Sequence, residues 1–161
     1  TEFIHDVEKA DDGSIVVDKY LCAGDNIYAA GDIARFPDWR TGQSVRIEHW
    51  RTAQQQGKCA ALNMAGRKTR YRNIPFFWTN QSGNQLRYVG HAGSWDDMYV
   101  SGNISSGNFV AYYVKDGVIL AAAGLNRDKE MLAIEELMKN EKMPDIAAVK
   151  KKLFDILSFI N

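Results

Sequence analysis

The sequence predicts two unlike parts, an α/β part followed by an α+β part that consists of an antiparallel β-meander with two helices. In the first part, a short apolar strand breaks at Gly31-Asp32 and a helix rich in small residues follows. Beyond a basic linker, short segments bounded by turn residues replace this pattern. We therefore predict domains over 1–66 and 75–161, joined by a linker over 67–74.

The first part is predicted to contain two short strands and one helix. Asp12-Gly13 is typical of a tight turn, and a β-branched strand follows it over 14–18. A second apolar strand is predicted over 27–30. The helix is predicted over 48–65 and ends at Gly66, where a C-terminal glycine is expected. The residues that would let this helix pack closely against a flat neighbour are Ala53, Gly57, Ala60, Ala61 and Met64.

The second part is predicted to be a meander with two helices on one face of its sheet. Its strands are predicted over 76–79, 85–91, 97–101, 109–115 and 118–124. Apolar residues then recur at helical spacing in two groups, Met131, Ile134, Leu137 and Met138, followed by Ile146, Val149, Leu153, Ile156 and Leu157. The second of these helices is predicted to begin after Pro144-Asp145.

Composition excludes several classes of protein. The chain has 161 residues and is 45% hydrophobic, enough to bury a core. Its formal net charge is zero, which gives no electrostatic reason to expect nucleic acid or an anionic membrane as a partner, and no apolar run is long enough to span one. Cys22 and Cys59 form no redox pair and no metal cluster, so we expect a reducing compartment and a cytoplasmic protein.

Asp32 is the first candidate for a functional residue. A carboxylate at the carboxyl end of a strand, next to the start of a helix, suits a ligand that carries hydroxyl and phosphate groups. The alternative is a Gly-Asp turn that only caps the segment after it. Taken alone, the dipeptide favours the turn, and the surrounding sequence reverses that preference.

The stretch "CAGDNIYAAGDIA" resembles the second flavin motif of flavoproteins with two dinucleotide-binding domains, although Cys22 stands where threonine is usual. The resemblance implies that Gly31 and Asp32 bind FAD, with the aspartate on the ribityl chain. The following stretch, "VRIEHWRTAQQQGKCAALNMAG", is similar to the helix whose N-terminus points at the flavin ring in that family. Glu48, His49 and Trp50 would then lie at the flavin and stabilise its reduced form.

The stretch "IPFFWTNQSGNQLRYVGHAG" is similar to the start of the C-terminal domain of ferredoxin, rubredoxin and putidaredoxin reductases and of apoptosis-inducing-factor-like flavoproteins. Thr79 and Asn80 depart from the usual serine and aspartate. The resemblance implies the tail of an FAD-binding domain followed by a reductase C-terminal domain, and it places Trp78 beside the flavin as the candidate catalytic residue. The alternative is that Trp78 is a core tryptophan of the meander.

The family implies transfer of electrons from NAD(P)H through FAD to a ferredoxin, a rubredoxin or a Rieske-type protein. The chain starts at Thr1 with no initiator methionine, so we expect the Gly-rich phosphate loops to lie upstream and this chain alone to be inactive. A homodimer is a further expectation. The alternative from another class is a dimerisation or docking module that works without flavin.

Two other features have simple explanations. The His-Pro and Glu dyad of disulphide reductases is absent from the sequence, His91 is best explained as a partly exposed strand residue, and His5 and His49 complete no metal site. The basic residues between 40 and 72 would either steer an acidic redox carrier or belong to a solvated linker. They are Arg40, Arg46, Arg51, Lys58, Arg67, Lys68, Arg70 and Arg72.

Overall fold

The computed structural model describes residues 1–151 and 154–160, which form two compact units, Thr1–Asn73 and Ile74–Asn161. The first unit contains β1 (Ile15–Val16), β2 (Cys22–Gly24), β3 (Ile27–Tyr28), a 3-10 turn (Gly31–Ile33), β4 (Ala34–Pro37), β5 (Ser44–Arg46) and α1 (Trp50–Met64). Strands β1 and β4 pair in parallel, β4 and β5 pair antiparallel, and β2 with β3 forms a separate hairpin.

The predicted strands and helix of this unit are present but shorter than expected. The strand predicted over 14–18 ends early because Asp18 Oδ1 accepts hydrogen bonds from the N–H groups of Tyr20 and Cys22, which turns the chain. Helix α1 begins at Trp50 because His49 is extended and serves as its N-cap. Gly66 has a φ of +78°, as expected for the glycine that follows a helix.

The core of the first unit is formed by buried side chains from its strands, its loops and α1. Phe36 and Tyr71 meet edge to face with ring centroids 5.2 Å apart. Both cysteines are free thiols. The other buried apolar side chains of this unit include Ile15, Val17, Leu21, Ala34, Val45, Ile47 and Cys59.

The second unit contains β6 (Phe76–Gln81), β7 (Asn84–Gly90), β8 (Asp97–Asn103), β9 (Asn108–Lys115), β10 (Val118–Leu125), α2 (Asp128–Lys139), α3 (Ile146–Val149) and a 3-10 turn (Ile156–Phe159). All neighbouring strands are antiparallel, which confirms the predicted sheet. Their order is β6-β7-β10-β9-β8, so β10 lies between β7 and β9 instead of at the edge where a simple meander would place it. Strand β10 is buried from Ile119 to Gly124, because β7 and β9 pair with both of its edges and α2 packs against it.

Helix α2 is confirmed, whereas the second predicted helix is interrupted. Asp145 caps α3 and Asp155 caps the 3-10 turn, each side chain accepting a backbone N–H, so two short segments replace one helix. The predicted helix residue Leu153 lies outside the described residues. No helix in the described part of the chain is long and apolar enough to cross a membrane.

Candidate functional site

The turn that contains Asp32 packs against α1. The N–H of Gly31 donates to Gln56 Oε1 over 2.7 Å, and both residues are buried. Gly31 has a φ of +79°, and a Cβ at this position would lie 3.2 Å from Ala53 Cβ. This approach requires a glycine in the turn opposite a small residue on the helix. Of the small residues predicted along this helix, Ala53 is therefore the one that allows the close approach of the turn.

Asp32 exposes its side chain at the surface of the turn. Its main-chain carbonyl accepts a hydrogen bond from Arg46 Nη1 over 3.1 Å. The negative charge of Asp32 acts to raise the pKa of His49, which places the carboxylate within electrostatic reach of the residue that precedes α1. Asp32 and the start of α1, which the sequence pattern predicts to lie together, are thus neighbours in the first unit.

His49 caps the N-terminus of α1. Its Nδ1 accepts a hydrogen bond from the N–H of Arg51 over 3.2 Å. Burial lowers the pKa of His49, the positive charge of Arg51 lowers it further, and Asp32 opposes both effects. The lowered pKa favours the neutral imidazole, and only that form can accept a hydrogen bond at Nδ1.

Glu48 and Trp50 lie on either side of this cap. Glu48 Oε1 is 2.5 Å from Arg46 Nη1, so its carboxylate is paired with a guanidinium. Trp50 is 60% exposed, and its ring centroid is 5.7 Å from that of His49. The structure therefore brings together at one end of α1 all the candidate residues of the first unit, which are Gly31, Asp32, Glu48, His49 and Trp50.

The amide of Gln56 has an unused donor beside the same turn. Its oxygen holds Gly31, whereas its Nε2 is buried and has no hydrogen-bond partner among the described residues. A buried donor without an acceptor costs roughly 1–3 kcal/mol, so native proteins usually supply one. An acceptor from a ligand, from water or from another chain segment would satisfy it.

The chemistry of this site suits a ligand that carries hydroxyl groups and negative charge. The exposed carboxylate of Asp32 can accept hydrogen bonds from hydroxyls. The N-terminus of α1, a helix of 15 residues, favours negative charge in front of it. In the described part of the chain, no group of three or more His, Cys, Asp or Glu side chains is placed to hold a metal ion.

Trp78 belongs to the second unit, where it lies on β6 opposite Arg87 of β7. Its side chain is 43% exposed, and its ring centroid is 6.1 Å from that of Phe76. Together with Phe77, Thr79, Leu86 and Tyr88 it lines a shallow, mostly apolar depression of about 160 Å³. This exposure argues against a buried core role for Trp78.

The basic residues between 40 and 72 do not form one uniform patch. Arg46 is paired with carboxylates, and the guanidinium of Arg72 lies 4.2 Å from the ring centroid of Trp39. Lys68 lies 5.3 Å from the ring centroid of Tyr20, and a hydrogen bond from Arg70 lowers the Tyr20 pKa. The exposed cations of this region are Lys58, Arg67, Lys68, Arg70 and Arg72.

Sequence analysis missed the roles of Arg46 and Gln56. Arg46 counts in the sequence only as one of many basic residues, although its position two residues before Glu48 was a usable signal. Gln56 is the last of three consecutive glutamines, and nothing in the sequence distinguishes it from its neighbours. The contacts of Arg46 with Asp12 and of Gln56 with Gly31 join residues that are distant along the chain.

The cap at His49 predicts a pH dependence of stability. Because the folded-state pKa lies below the usual value of about 6.5, the unfolded chain binds the proton more tightly. The stabilising contribution is fully present above about pH 6.5 and is lost as the pH falls through the folded-state pKa. We expect the melting temperature of the wild type to fall, relative to that of His49→Asn, between about pH 7 and pH 5, because asparagine caps without titrating. If the melting temperatures of the two proteins changed with pH in the same way, His49 would be excluded as the responsible group.

Comparison with known proteins shows two family matches. Residues 76–159 match the family described as Reductase C-terminal, and residues 3–57 match the family described as Pyridine nucleotide-disulphide oxidoreductase. The first of these covers more than half of the chain, including the whole sheet of the second unit.

Individual relatives agree with this assignment. Apoptosis-inducing factor 3 of Mus musculus is 35% identical over 113 residues, 70% of this chain and 19% of that protein. Rhodocoxin reductase of Rhodococcus erythropolis is 32% identical over 131 residues, 81% of this chain and 31% of that protein. The crystal structure of the covalent putidaredoxin reductase–putidaredoxin complex superposes with a TM-score of 0.83 at 25% identity, over 94% of this chain and 36% of that one. The chain thus spans between a fifth and a third of the length of these curated relatives.

Proposed function

Because the chain belongs to the Reductase C-terminal family of FAD-dependent pyridine nucleotide oxidoreductases, we propose that the whole protein passes electrons from NAD(P)H through FAD to a small redox carrier. When bound, the flavin supplies acceptance of hydride and release of single electrons. The residues of this chain would bind that cofactor and set the charge around it. The chain by itself is expected to be inactive.

The placement of Asp32 supports this proposal most directly. Its exposed carboxylate lies on a turn that is fixed against α1 by Gln56, at the end of the helix where His49 forms the cap. In that position Asp32 would accept hydrogen bonds from ribityl hydroxyls. The N-terminus of α1 would favour negative charge on the ring, because the N-terminal end of a helix dipole is positive.

The remaining candidates would form the surroundings of the ring. The rings of His49 and Trp50 lie next to each other at the start of α1, and the pairing of Glu48 with Arg46 offsets the negative charge of Glu48 there. Trp78 stays the proposed catalytic residue beside the flavin, as the family resemblance implies. Its 43% exposure leaves the indole available for such a contact.

A carrier of the ferredoxin, rubredoxin or Rieske type is the proposed acceptor. The putidaredoxin reductase structure contains its redoxin, which supports a partner of this kind. The exposed cations Lys58, Arg67, Lys68 and Arg70 would attract an acidic carrier. A homodimer and a cytoplasmic location remain predictions.

We expect Asp32→Ala to weaken FAD binding in the full-length protein by about 10- to 100-fold, since a hydrogen bond to a charged acceptor contributes roughly 1.5–3 kcal/mol. Titration of FAD into apoprotein, followed by quenching of flavin fluorescence, measures the change. Asp25→Ala is the matched control, because Asp25 is an exposed aspartate in the hairpin just before the site. Equal affinities for wild type and Asp32→Ala would reduce Asp32 to a turn residue. A wild-type protein that binds no flavin would favour the docking-module alternative.

A further inference from the structure

The backbone of the Gly31-Asp32 turn is held by two side chains. Gln56 accepts the N–H of Gly31 on one side, and Arg46 donates to the carbonyl of Asp32 on the other. The Gln56 contact comes from α1, whereas Arg46 is the last residue of β5. The position of the turn relative to the helix therefore depends on where the Arg46 guanidinium is fixed.

Two carboxylates fix that guanidinium. Arg46 Nε lies 3.0 Å from Asp12 Oδ2, and Arg46 Nη1 lies 2.5 Å from Glu48 Oε1. The same Nη1 donates to the carbonyl of Asp32. Its two hydrogens thus serve Glu48 and Asp32, and the guanidinium cannot turn away without losing charge-assisted hydrogen bonds.

Asp12 compensates the repulsion between two arginines that face each other in the sheet. Arg35 and Arg46 lie directly opposite each other on β4 and β5, and like charges in that position destabilise a strand pair. Asp12 Oδ2 contacts both, at 2.8 Å from Arg35 Nη2 and 3.0 Å from Arg46 Nε. Hydrogen bonds from Ser14, and then Arg35, hold the pKa of Asp12 well below its usual range, so this bridging charge persists at neutral pH.

We propose that Arg46 is a positioning residue, which sets the place of the Asp32 carboxylate relative to the start of α1, and that Glu48 acts through Arg46 rather than on the ligand. The proposal rests on the proposed function, in which Asp32 contacts the flavin. It assigns Arg46 a role that requires no contact with the cofactor.

A double-mutant cycle tests this proposal in the full-length protein. The dissociation constant for FAD is measured for wild type, Arg46→Gln, Asp32→Ala and the double variant. If Arg46 acts through Asp32, Arg46→Gln weakens binding by about 10-fold in the wild type and by less than about 2-fold in the Asp32→Ala background. Equal losses in both backgrounds would overturn the proposal, because they would show that Arg46 acts independently of Asp32.

Arg35→Gln is the matched control. Arg35 pairs with the same Asp12 carboxylate, but its contacts run to Ser14 and Ser44 and not to Asp32. We expect both arginine variants to lower the melting temperature and only Arg46→Gln to weaken FAD binding. An equal loss of FAD affinity in both would show a general effect on folding and would overturn the proposal. If wild type binds FAD and Asp32→Ala weakens it while Arg46→Gln does not, the positioning role alone fails; if wild type binds none, the proposed function fails first.

Discussion

Gly90→Ala is expected to lower the free energy of unfolding of the second unit by about 4 kcal/mol. Gly90 ends β7 with a φ of +83°, a conformation that disfavours any residue with a Cβ. A Cβ built there would lie 2.3 Å from the carbonyl oxygen of Leu120 and 3.0 Å from Ala121 Cα. Both atoms belong to the backbone of β10, the central strand, which cannot move without disturbing its pairing with β7 and β9.

Gly83→Ala separates the two causes of this loss. Gly83 has a φ of +78°, but no atom lies within 4 Å of the position its Cβ would take. We therefore expect a cost of about 1 kcal/mol for its backbone conformation alone. Urea unfolding curves followed by far-ultraviolet circular dichroism give both values. Similar losses at the two positions would mean that the backbone around Gly90 relaxes and that the close approach costs little.

Local sequence patterns were sufficient to predict most strands and helices of the second unit. Each strand there is bounded by turn residues, and all five were predicted to within a few residues. The position of β10 was not predictable in this way, because it depends on the pairing of β10 with β7, two strands that are distant along the chain. The run at Ala121–Ala123 was the available signal, since small apolar residues suit a strand covered on both sides.

The candidate site shows the same contrast between what local sequence predicts and what long-range contacts decide. The association of Asp32 with the start of α1 followed from a local motif and from the family resemblance. The contacts of Arg46 with Asp12 and of Gln56 with Gly31 join residues far apart in sequence, and charge or amide identity alone does not specify such pairs. Sequence reasoning therefore named the candidate residues near the start of α1 and missed Arg46 and Gln56, whose side chains hold the turn.

Ile134→Ala is expected to cost about 3 kcal/mol in the free energy of unfolding of the second unit. Ile134 is 0% exposed on the face of α2 that packs against β7 and β10, so its truncation leaves a cavity. Chemical denaturation measures the loss, and the change should be the same with and without FAD, because α2 holds none of the candidate site residues.

Leu132→Ala is the matched control for this prediction. Leu132 lies on the same helix, two positions away, and is 57% exposed. Truncation of an exposed leucine removes little buried surface and improves helix propensity slightly, so we expect a change within about 0.5 kcal/mol. A cost at Leu132 as large as that at Ile134 would contradict this expectation and would mean that the outer face of α2 is covered in solution. Because such a cover would come from another molecule or another part of the full-length protein, the loss would then depend on protein concentration if the cover is a second copy and would be independent of it otherwise.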